Sequence, residues 1–463
     1  MPQAGEGVAT AHQGDGRAVT GWLLFDWAAQ PFFTLVLTFV FGPYFVNTLA
    51  DSPVDGQASW GFATALAGFT IAFLSPVLGA IADSSGARKP WIGWFSVLFI
   101  AGPALLWFAE PGQDHAVALA LVCLVIGTIG GEFATVFTNA MMPDLVSRDR
   151  LGRLSGNGWA LGYAGGLVSL VLVLGFFAAS PETGRTLLGL EPVFGLDPAK
   201  SEGDRASGPF SAVWYLVFVL PLFLFVPDTP RRMPFGNAIR SGLSDLRNTL
   251  TTLPSHRPVL TFLLAHMIYK DGLAALFAFG GIYAASIFGW TIVQIGLFGI
   301  FLTITGTVGA VIGGVLDDRF GPKAVVSSAL VIMIAGCAGI VSVDRETILF
   351  VVSVAAPDPE AGMFQSVPEI AYLLFGAMVG AASGPMQASS RTLLVDLSPP
   401  DRLTEFFGLY ALSGKVTSFA APLLVATVTA LAASQRLGIG VILIFFVVGL
   451  AALRFVDERP YKE

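Results

Sequence analysis

The stretch Asp144-Leu145-Val146-Ser147-Arg148-Asp149-Arg150-Leu151, followed by Gly156 and Gly162, returns 252 residues later. There it reads Asp396-Leu397-Ser398-Pro399-Pro400-Asp401-Arg402-Leu403, followed by Gly408 and Gly414. Seven identities at one spacing within 19 residues exceed what a chance match supplies. A second pair of loops repeats in the same order. Gly79-Ala80-Ile81-Ala82-Asp83-Ser84-Ser85-Gly86-Ala87-Arg88-Lys89 is matched by Gly314-Val315-Leu316-Asp317-Asp318-Arg319-Phe320-Gly321-Pro322-Lys323. Gly79, Asp83, Gly86 and Arg88 each precede their counterparts Gly314, Asp318, Gly321 and Lys323 by 235 residues. Two matched loops in one order indicate a duplicated unit. The change in spacing requires 17 more residues in the second half, and the stretch 344–367 is visibly longer than its partner around 110–115.

These charged loops separate long apolar runs. Of 463 residues 54% are hydrophobic and only 12% are charged, about half the roughly 25% of a soluble domain. So few charges cannot cover a water-exposed surface of this size. Composition thus excludes most soluble enzymes, coiled coils and disordered scaffolds. A helix needs about 20 mostly apolar residues to cross a bilayer. Twelve such stretches are expected, at 20–50, 58–82, 91–109, 116–142, 156–179 and 210–227, then 259–287, 291–316, 324–343, 368–393, 406–433 and 438–456. They are too long, and lack the alternation, for barrel strands. The expected fold is an all-α membrane protein with twelve transmembrane helices in two pseudo-symmetric six-helix bundles, 20–227 and 259–456. The basic segment 228–258 links them, and short tails, 1–19 and 457–463, flank them. An interfacial amphipathic helix near 237–250 and a plain solvated linker both fit that segment.

Basic residues orient the spans. With both termini cytoplasmic, 16 Lys and Arg fall on inner segments, including Arg17, Arg88, Lys89, Arg150, Arg153, Arg402, Arg459 and Lys462. Only 5 fall outside: Arg185, Lys200, Arg205, Arg345 and Arg436. That bias follows the positive-inside rule. The outer loops are acid-rich, from Asp51 and Asp55 to Asp358 and Glu360. The polar residues 1–19 and the long first apolar run do not resemble a cleavable signal peptide. The net charge of −7 and the lack of a Lys/Arg run point away from nucleic acid. Cys123 and Cys337 each sit in an apolar run, and His12, His115, His256 and His266 are scattered, so no metal site or other cofactor is expected.

The repeated loops have a mechanical rationale. Glycine permits close helix approach. An acid at a helix end can pair with a base or cap a neighbouring helix N-terminus. Such a latch holds in one conformation and releases in another. Its expected members are Gly79, Asp83, Gly86, Arg88, Lys89, Asp144, Asp149 and Arg150 in the first half. In the second half they are Gly314, Asp318, Gly321, Lys323, Asp396, Asp401 and Arg402. Glu405 is expected to join the inner charge network. A purely topogenic role for the bases is the alternative.

The loop 79–89 resembles the signature Gly-x-x-x-Asp-x-x-Gly with following bases of the major facilitator superfamily, and 314–323 resembles its second-half copy. More narrowly, the chain resembles the vacuole effluxer, autophagy-related family of that superfamily. The resembling segments are Phe25-Asp26-Trp27-Ala28 and 38–45 in span one, 156–166 in span five, Gln387-Ala388-Ser389-Ser390-Arg391 in span ten and 406–415 in span eleven. Where that family usually continues span one with Asn-Ser, this chain has Ala29-Gln30. Where span seven often carries Asn-Asp-Gly, it has Lys270-Asp271-Gly272. Both departures fall where a substrate would be read.

Charges within a bilayer cost about 2.5–3.5 kcal/mol on insertion scales and are kept when paired, solvated or functional. Asp26, Glu132, Lys270, Asp271 and Lys415 lie well within expected spans. Asp26 and Asp271 are either cavity residues or a buried structural pair. Lys270 points about 100° away from Asp271 on a helix, so it is not its simple partner. Burial disfavours the charged form of a carboxyl, so Asp26 or Glu132 could carry a coupling proton. Arg391 is either a topogenic anchor or a partner for a substrate carboxylate. Gln30, Trp27, Trp159, Gln387 and Tyr410 complete the cavity candidates, while the remaining aromatics, Tyr269 among them, are expected in lipid or helix contacts. The glycines of span five are expected in tight helix packing.

The leading function is a secondary transporter moving a small solute by alternating access. The resemblance implies export or exchange of amino acids or similar metabolites, with protons as a candidate coupling partner. The protein is expected to be a monomer in a bacterial inner membrane or an organelle membrane, with lipid as its other partner. No Walker loop is present, so ATP hydrolysis is not expected. A membrane enzyme using Asp317-Asp318 as a metal pair lacks a second acidic cluster. A transporter-like sensor without flux would be expected to add a signalling domain.

Overall fold

A computed structural model describes residues 15–180, 183–290, 292–355 and 363–457. His12, Asp358, Glu360, Arg459 and Lys462, with most of both expected tails, lie outside the described residues. Helices account for most of the described residues. α1 starts at Gly16, where the Asp15 carboxylate caps the Arg17 N–H at 3.0 Å, and runs to Pro31. Wide π-type turns, Phe32–Phe39 and Phe45–Leu49, continue it to the end of span one. A proline ring removes an amide donor and crowds the preceding turn, and widened turns accommodate such defects. α2 (Pro53–Ser85), α3 (Lys89–Leu105), α4 (Ala116–Ala140), α5 (Leu151–Phe176) and α6 (Glu202–Phe225) follow. α6 begins eight residues before the expected position 210. Glu202 and Asp204 occupy its first turn, where acids favour a helix N-terminus. The buried Arg205 there donates to Trp107 O at 2.9 Å.

The basic linker forms α7 (Phe235–Thr252), whose Gly242 lies against the Ala80–Ile81 backbone of α2. The linker is therefore helical over this stretch. α8 (Arg257–Phe288), α9 (Ile292–Phe320), α10 (Pro322–Ser342) and α11 (Val367–Leu397) correspond to spans seven to ten. A short antiparallel hairpin, β1 (Thr347–Ile348) with β2 (Val352–Ser353), occupies part of the longer loop before α11. Ser366 and Glu369 close a reciprocal cap at the start of α11. The expected eleventh span is divided into α12 (Leu403–Ser413) and α13 (Ala420–Ala432), and α14 (Gln435–Arg454) closes the chain. Gly414 weakens helix propensity at the division, and the Ser418 hydroxyl takes the Lys415 carbonyl at 2.9 Å, competing with the helical ladder.

Among the described residues eleven helical stretches are long and apolar enough to cross a membrane, and Ala420–Ala432 is a shorter apolar one. Large apolar side chains point outward from them: Phe62 is 78% exposed and Leu224 71%. Such surfaces suit lipid as solvent. Two compact units result. One holds Met1–Arg148, Leu161–Leu246 and Arg402–Gly408, and the other Asp149–Ala160, Arg247–Asp401 and Leu409–Glu463. The first turns of α12 thus pack with first-half helices, and the first turns of α5 pack with second-half helices.

Candidate functional site

In the first unit, α2 ends at Gly86, whose φ of 90° suits a residue without a side chain. This stop sets Asp83 on the last turn of α2 and Arg88 just beyond it. Asp83 is buried, and its Oδ2 accepts the backbone N–H of Glu405 at 2.8 Å. The first amides of a helix have no partner within it, and the third residue of α12 supplies this one. The Thr404 amide also faces the carboxylate. Gly79 makes the approach possible, because a Cβ there would meet Thr404 O at 2.4 Å. Arg88 completes the arrangement. Its Nη1 pairs with Asp144 at 2.8 Å, and its Nε donates to Thr404 Oγ1 at 3.1 Å. Its Nη2 lies 3.8 Å from Asp83 Oδ1, an ion contact too long for a hydrogen bond. Asp228 accepts the Arg88 and Lys89 N–H groups at 2.9 and 3.1 Å, and Lys89 Nζ donates to Phe223 O at 2.9 Å.

The second unit repeats the backbone part of this geometry. Asp318 Oδ1 accepts the N–H of Arg153, the third residue of α5, at 3.2 Å. Arg153 and Glu405 are 252 residues apart, the spacing of their repeat. A Cβ on Gly314 would meet Gly152 O at 2.7 Å, as one on Gly79 would meet Thr404 O. A turn away, Gly156 faces Ala310 O and Gly408 faces Ser75 O, at 2.5 and 2.4 Å for a built Cβ. The counter-cation differs. Arg153 itself pairs with Asp318 at 3.0 Å, while Lys323, counterpart of Arg88, donates to Val456 O at 2.8 Å. Gly321 turns the chain with a φ of 84°. Asp149 and Arg150 stand on the short turn leading into α5, and Asp401 and Arg402 on the equivalent turn into α12. Asp317 accepts the Thr392 hydroxyl at 2.6 Å. Among the described residues no group of three or more His, Cys, Asp or Glu is placed to hold a metal.

The mid-span candidates fall into two groups. On α1, Asp26, Trp27 and Gln30 are half-buried. They lie along the glycines of α5: Gly162 against Asp26, Gly165 against Trp27 and Gly166 against Gln30 and Thr34. Trp27 stacks on Trp214 at 5.4 Å, and the Trp214 indole N–H donates to Trp27 O at 3.1 Å. Glu132 is half-buried on α4, next to Gly131, which packs on the Phe99 ring. The second group lies in the second unit and joins residues far apart in sequence. Lys270 Nζ donates to Gln387 Oε1. Arg391 is buried, with Nε on Ser155 Oγ at 3.0 Å, Nη2 on Ser155 O at 2.8 Å and its guanidinium over the Trp159 ring. Those bonds tie α11 to the start of α5. Tyr410 stacks on His266 with ring centroids 3.9 Å apart.

The family model described as "Vacuole effluxer Atg22 like" matches residues 54–462. The chain belongs to the Atg22-like family. This Atg22-like chain is 26% identical over 446 residues to the uncharacterized MFS-type transporter YxiO of Bacillus subtilis, covering 95% of this chain and 94% of that one. It is 25% identical to autophagy-related protein 22 of Cryptococcus neoformans, over 67% of this chain and 51% of that one. It therefore spans about half the length of that fungal relative. Among solved structures, the major facilitator superfamily transporter FucP in its outward conformation superposes with a TM-score of 0.68 at 18% identity, covering 95% and 98% of the two chains. The proton:xylose symporter XylE gives 0.66 at 15%, covering 96% and 95%. The fold is that of the major facilitator superfamily, and the protein is a multi-pass membrane transporter.

Sequence reasoning missed His266, Tyr269, Ser390 and Ser413 as members of one cluster. His266 Nδ1 and Ser413 Oγ are 2.8 Å apart, and the Tyr269 and Ser390 hydroxyls 2.7 Å. The available signal was position. His266 precedes Lys270 by four residues and shares its helix face, and Ser413 directly precedes Gly414 and Lys415. Further along α8 and α13, a mostly apolar cavity of about 340 Å³ is lined by Phe279, Ile282, Tyr283, Val425, Ala426 and Thr429.

Proposed function

We propose that the protein is a secondary transporter that exports a small solute, an amino acid or similar metabolite, by alternating access. The carrying observation is the pair of matched caps: Asp83 on the Glu405 N–H and Asp318 on the Arg153 N–H. Each is a charge-assisted hydrogen bond to a helix N-terminus, where the helix dipole also favours an anion. A contact made twice by duplicated sequence is suited to a state that forms and releases as one step. The loops act as conformational latches outside the substrate path, and Gly79, Gly86, Gly314 and Gly321 give them their close approach and turns. Substrate contact falls to the mid-span groups: Asp26, Trp27, Gln30 and Glu132 in the first unit, and Trp159, Lys270, Asp271, Gln387, Tyr410 and Lys415 in the second. Arg391, held by Ser155, acts as an anchor. The repeat spans 20–227 and 259–456, with both termini cytoplasmic and the protein a monomer.

The nearest support for a solute class is the effluxer family itself. The same fold serves the proton:xylose symporter XylE and the fucose:proton symporter FucP, which supports proton coupling. Asp26 or Glu132 is the carrier in this reading. The test is flux in proteoliposomes with a panel of labelled amino acids, with and without a pH gradient. At least one amino acid should move in a protein-dependent way. Asp26→Asn or Glu132→Gln should lose gradient-driven accumulation yet keep exchange down a substrate gradient. Unchanged proton-driven transport in both variants sinks the proton proposal, and no flux of any solute sinks the transporter reading.

A further inference from the structure

The division between α12 and α13 places an open stretch of backbone beside a buried acid. Residues 414–419 form successive tight turns, with Lys415 N–H on Leu412 O at 3.1 Å, Ser418 N–H on Lys415 O at 3.2 Å and Ala420 N–H on Thr417 O at 2.7 Å. The carbonyls of Gly414 and Val416 take no part in these turns. Opposite stands Asp271, midway along α8 and only 2% exposed. Its neighbour on the broken segment is the Thr417 hydroxyl. Even so, Asp271 Oδ1 and Thr417 Oγ1 are both buried atoms without a hydrogen bond. Among the described residues Asp271 also makes no ion pair. Lys270, next to it in sequence, is turned to Gln387.

A carboxylate kept out of water without a counter-charge is costly, and such acids are retained when something binds them. The donors assembled beside Asp271 are oxygen, a carboxylate, a hydroxyl and loose carbonyls; the His266 ring, which faces Gly414, is held on the Ser413 hydroxyl through Nδ1. That set suits a hard, singly charged cation or a protonated amine, not a transition metal. Broken helices near the bilayer midplane place such carbonyls at ion and substrate sites in other transporters. The equivalent stretch of α5, 162–167, is unbroken helix, with glycine at 162, 165 and 166. The feature therefore belongs to the second copy alone.

We propose that Asp271, Thr417 and the unwound carbonyls of 414–419 form a subsite for a cationic centre, either an alkali cation or a primary ammonium group. This rests on the transporter reading for its role in flux, but not for binding. The experiment uses the purified full chain in detergent at constant ionic strength. Thermal unfolding is followed against NaCl, LiCl and KCl with choline as the replaced cation, and against an amino acid and its N-acetyl derivative in choline buffer. An alkali-cation site gives a saturable rise in melting temperature with one alkali ion over choline. An ammonium site gives a rise with the amino acid and none with the N-acetyl form.

In either case Asp271→Asn should abolish the shift, and Thr417→Val should raise the half-saturating concentration at least tenfold. Thr417→Ser, which keeps the oxygen, should leave it within threefold. The threonine pair keeps the test decisive if Asp271→Asn does not fold. The proposal is overturned if none of these ligands gives a saturable shift, if pH alone moves the melting temperature, or if the shift survives unchanged in Asp271→Asn and Thr417→Val. Flux that persists while the shift is absent defeats this subsite and leaves the transporter reading intact. A shift that depends on Asp271 in a protein with no flux does the reverse.

Discussion

The two capped helix ends share one backbone geometry but differ in where the counter-cation comes from. In the first unit it is Arg88, on the loop that carries the capping acid, with a side chain only 10% exposed and Asp83, Asp144 and Thr404 within its reach. In the second it is Arg153, on the capped helix itself, with a side chain 59% exposed. Duplication preserved the amide cap and the facing glycines, while the charge around them was rebuilt. The backbone cap is therefore common to both copies, and in the proposed latch the arginines would set how firmly each copy holds. Without the Arg88 side chain, Asp83 keeps its amide cap but loses its buried cation; without that of Arg153, which is largely in water, Asp318 remains only 6% exposed and keeps the Arg153 amide.

That asymmetry can be broken by substitution. Arg88→Ala carries the largest expected effect. Removing one partner from a buried ion pair costs about 3–5 kcal/mol, and reconstituted flux should fall by roughly a hundredfold or more with a lowered melting temperature. Flux within threefold of the parent would show that the buried cation is dispensable. Gly79→Leu and Gly314→Leu come next. Overpacking at contacts this close costs about 1–3 kcal/mol, so each should lower flux by about ten- to a hundredfold, and the two should agree within threefold. A large loss in one copy only would end the claim that the backbone approach is shared. Arg153→Ala is the smallest. Its guanidinium is largely in water and screened by salt, and the Arg153 N–H caps Asp318 whatever the side chain, so flux should change less than fivefold. A loss as large as that of Arg88→Ala would mean that the cations are equivalent after all.

Much of this was legible in the sequence because duplication prints a contact twice. Gly79, Asp83, Gly314 and Asp318 stood out by constant spacing, and a helix-capping acid was the physical reason to keep them. The spacing did not name the amides being capped, since the partner of each acid lies in the other loop pair, some 165 to 322 residues away. Apolar periodicity located the spans, because lipid demands apolar runs of bilayer length. It failed at the division after Ser413, because 406–433 is as apolar as a continuous helix. There a glycine and local hydroxyl bonds decide the backbone, and these leave hydropathy unchanged. It also started α6 too late, because an amphipathic first turn at the membrane edge looks like loop. His266 escaped notice as one of four scattered histidines. Its partners Ser413 and Tyr410 lie more than 140 residues away, and only the packing of α8 on α12 brings them together.

The central claim is that the two acids govern conformational exchange and not substrate contact. It is tested most directly by measuring substrate Kd and turnover in Asp83→Asn and Asp318→Asn. Loss of a helix cap costs about 0.5–2 kcal/mol, so turnover should drop by roughly three- to thirtyfold in each variant while Kd stays within threefold. A folded, correctly inserted variant that loses most of its substrate affinity, or one whose turnover matches the parent, would contradict the account.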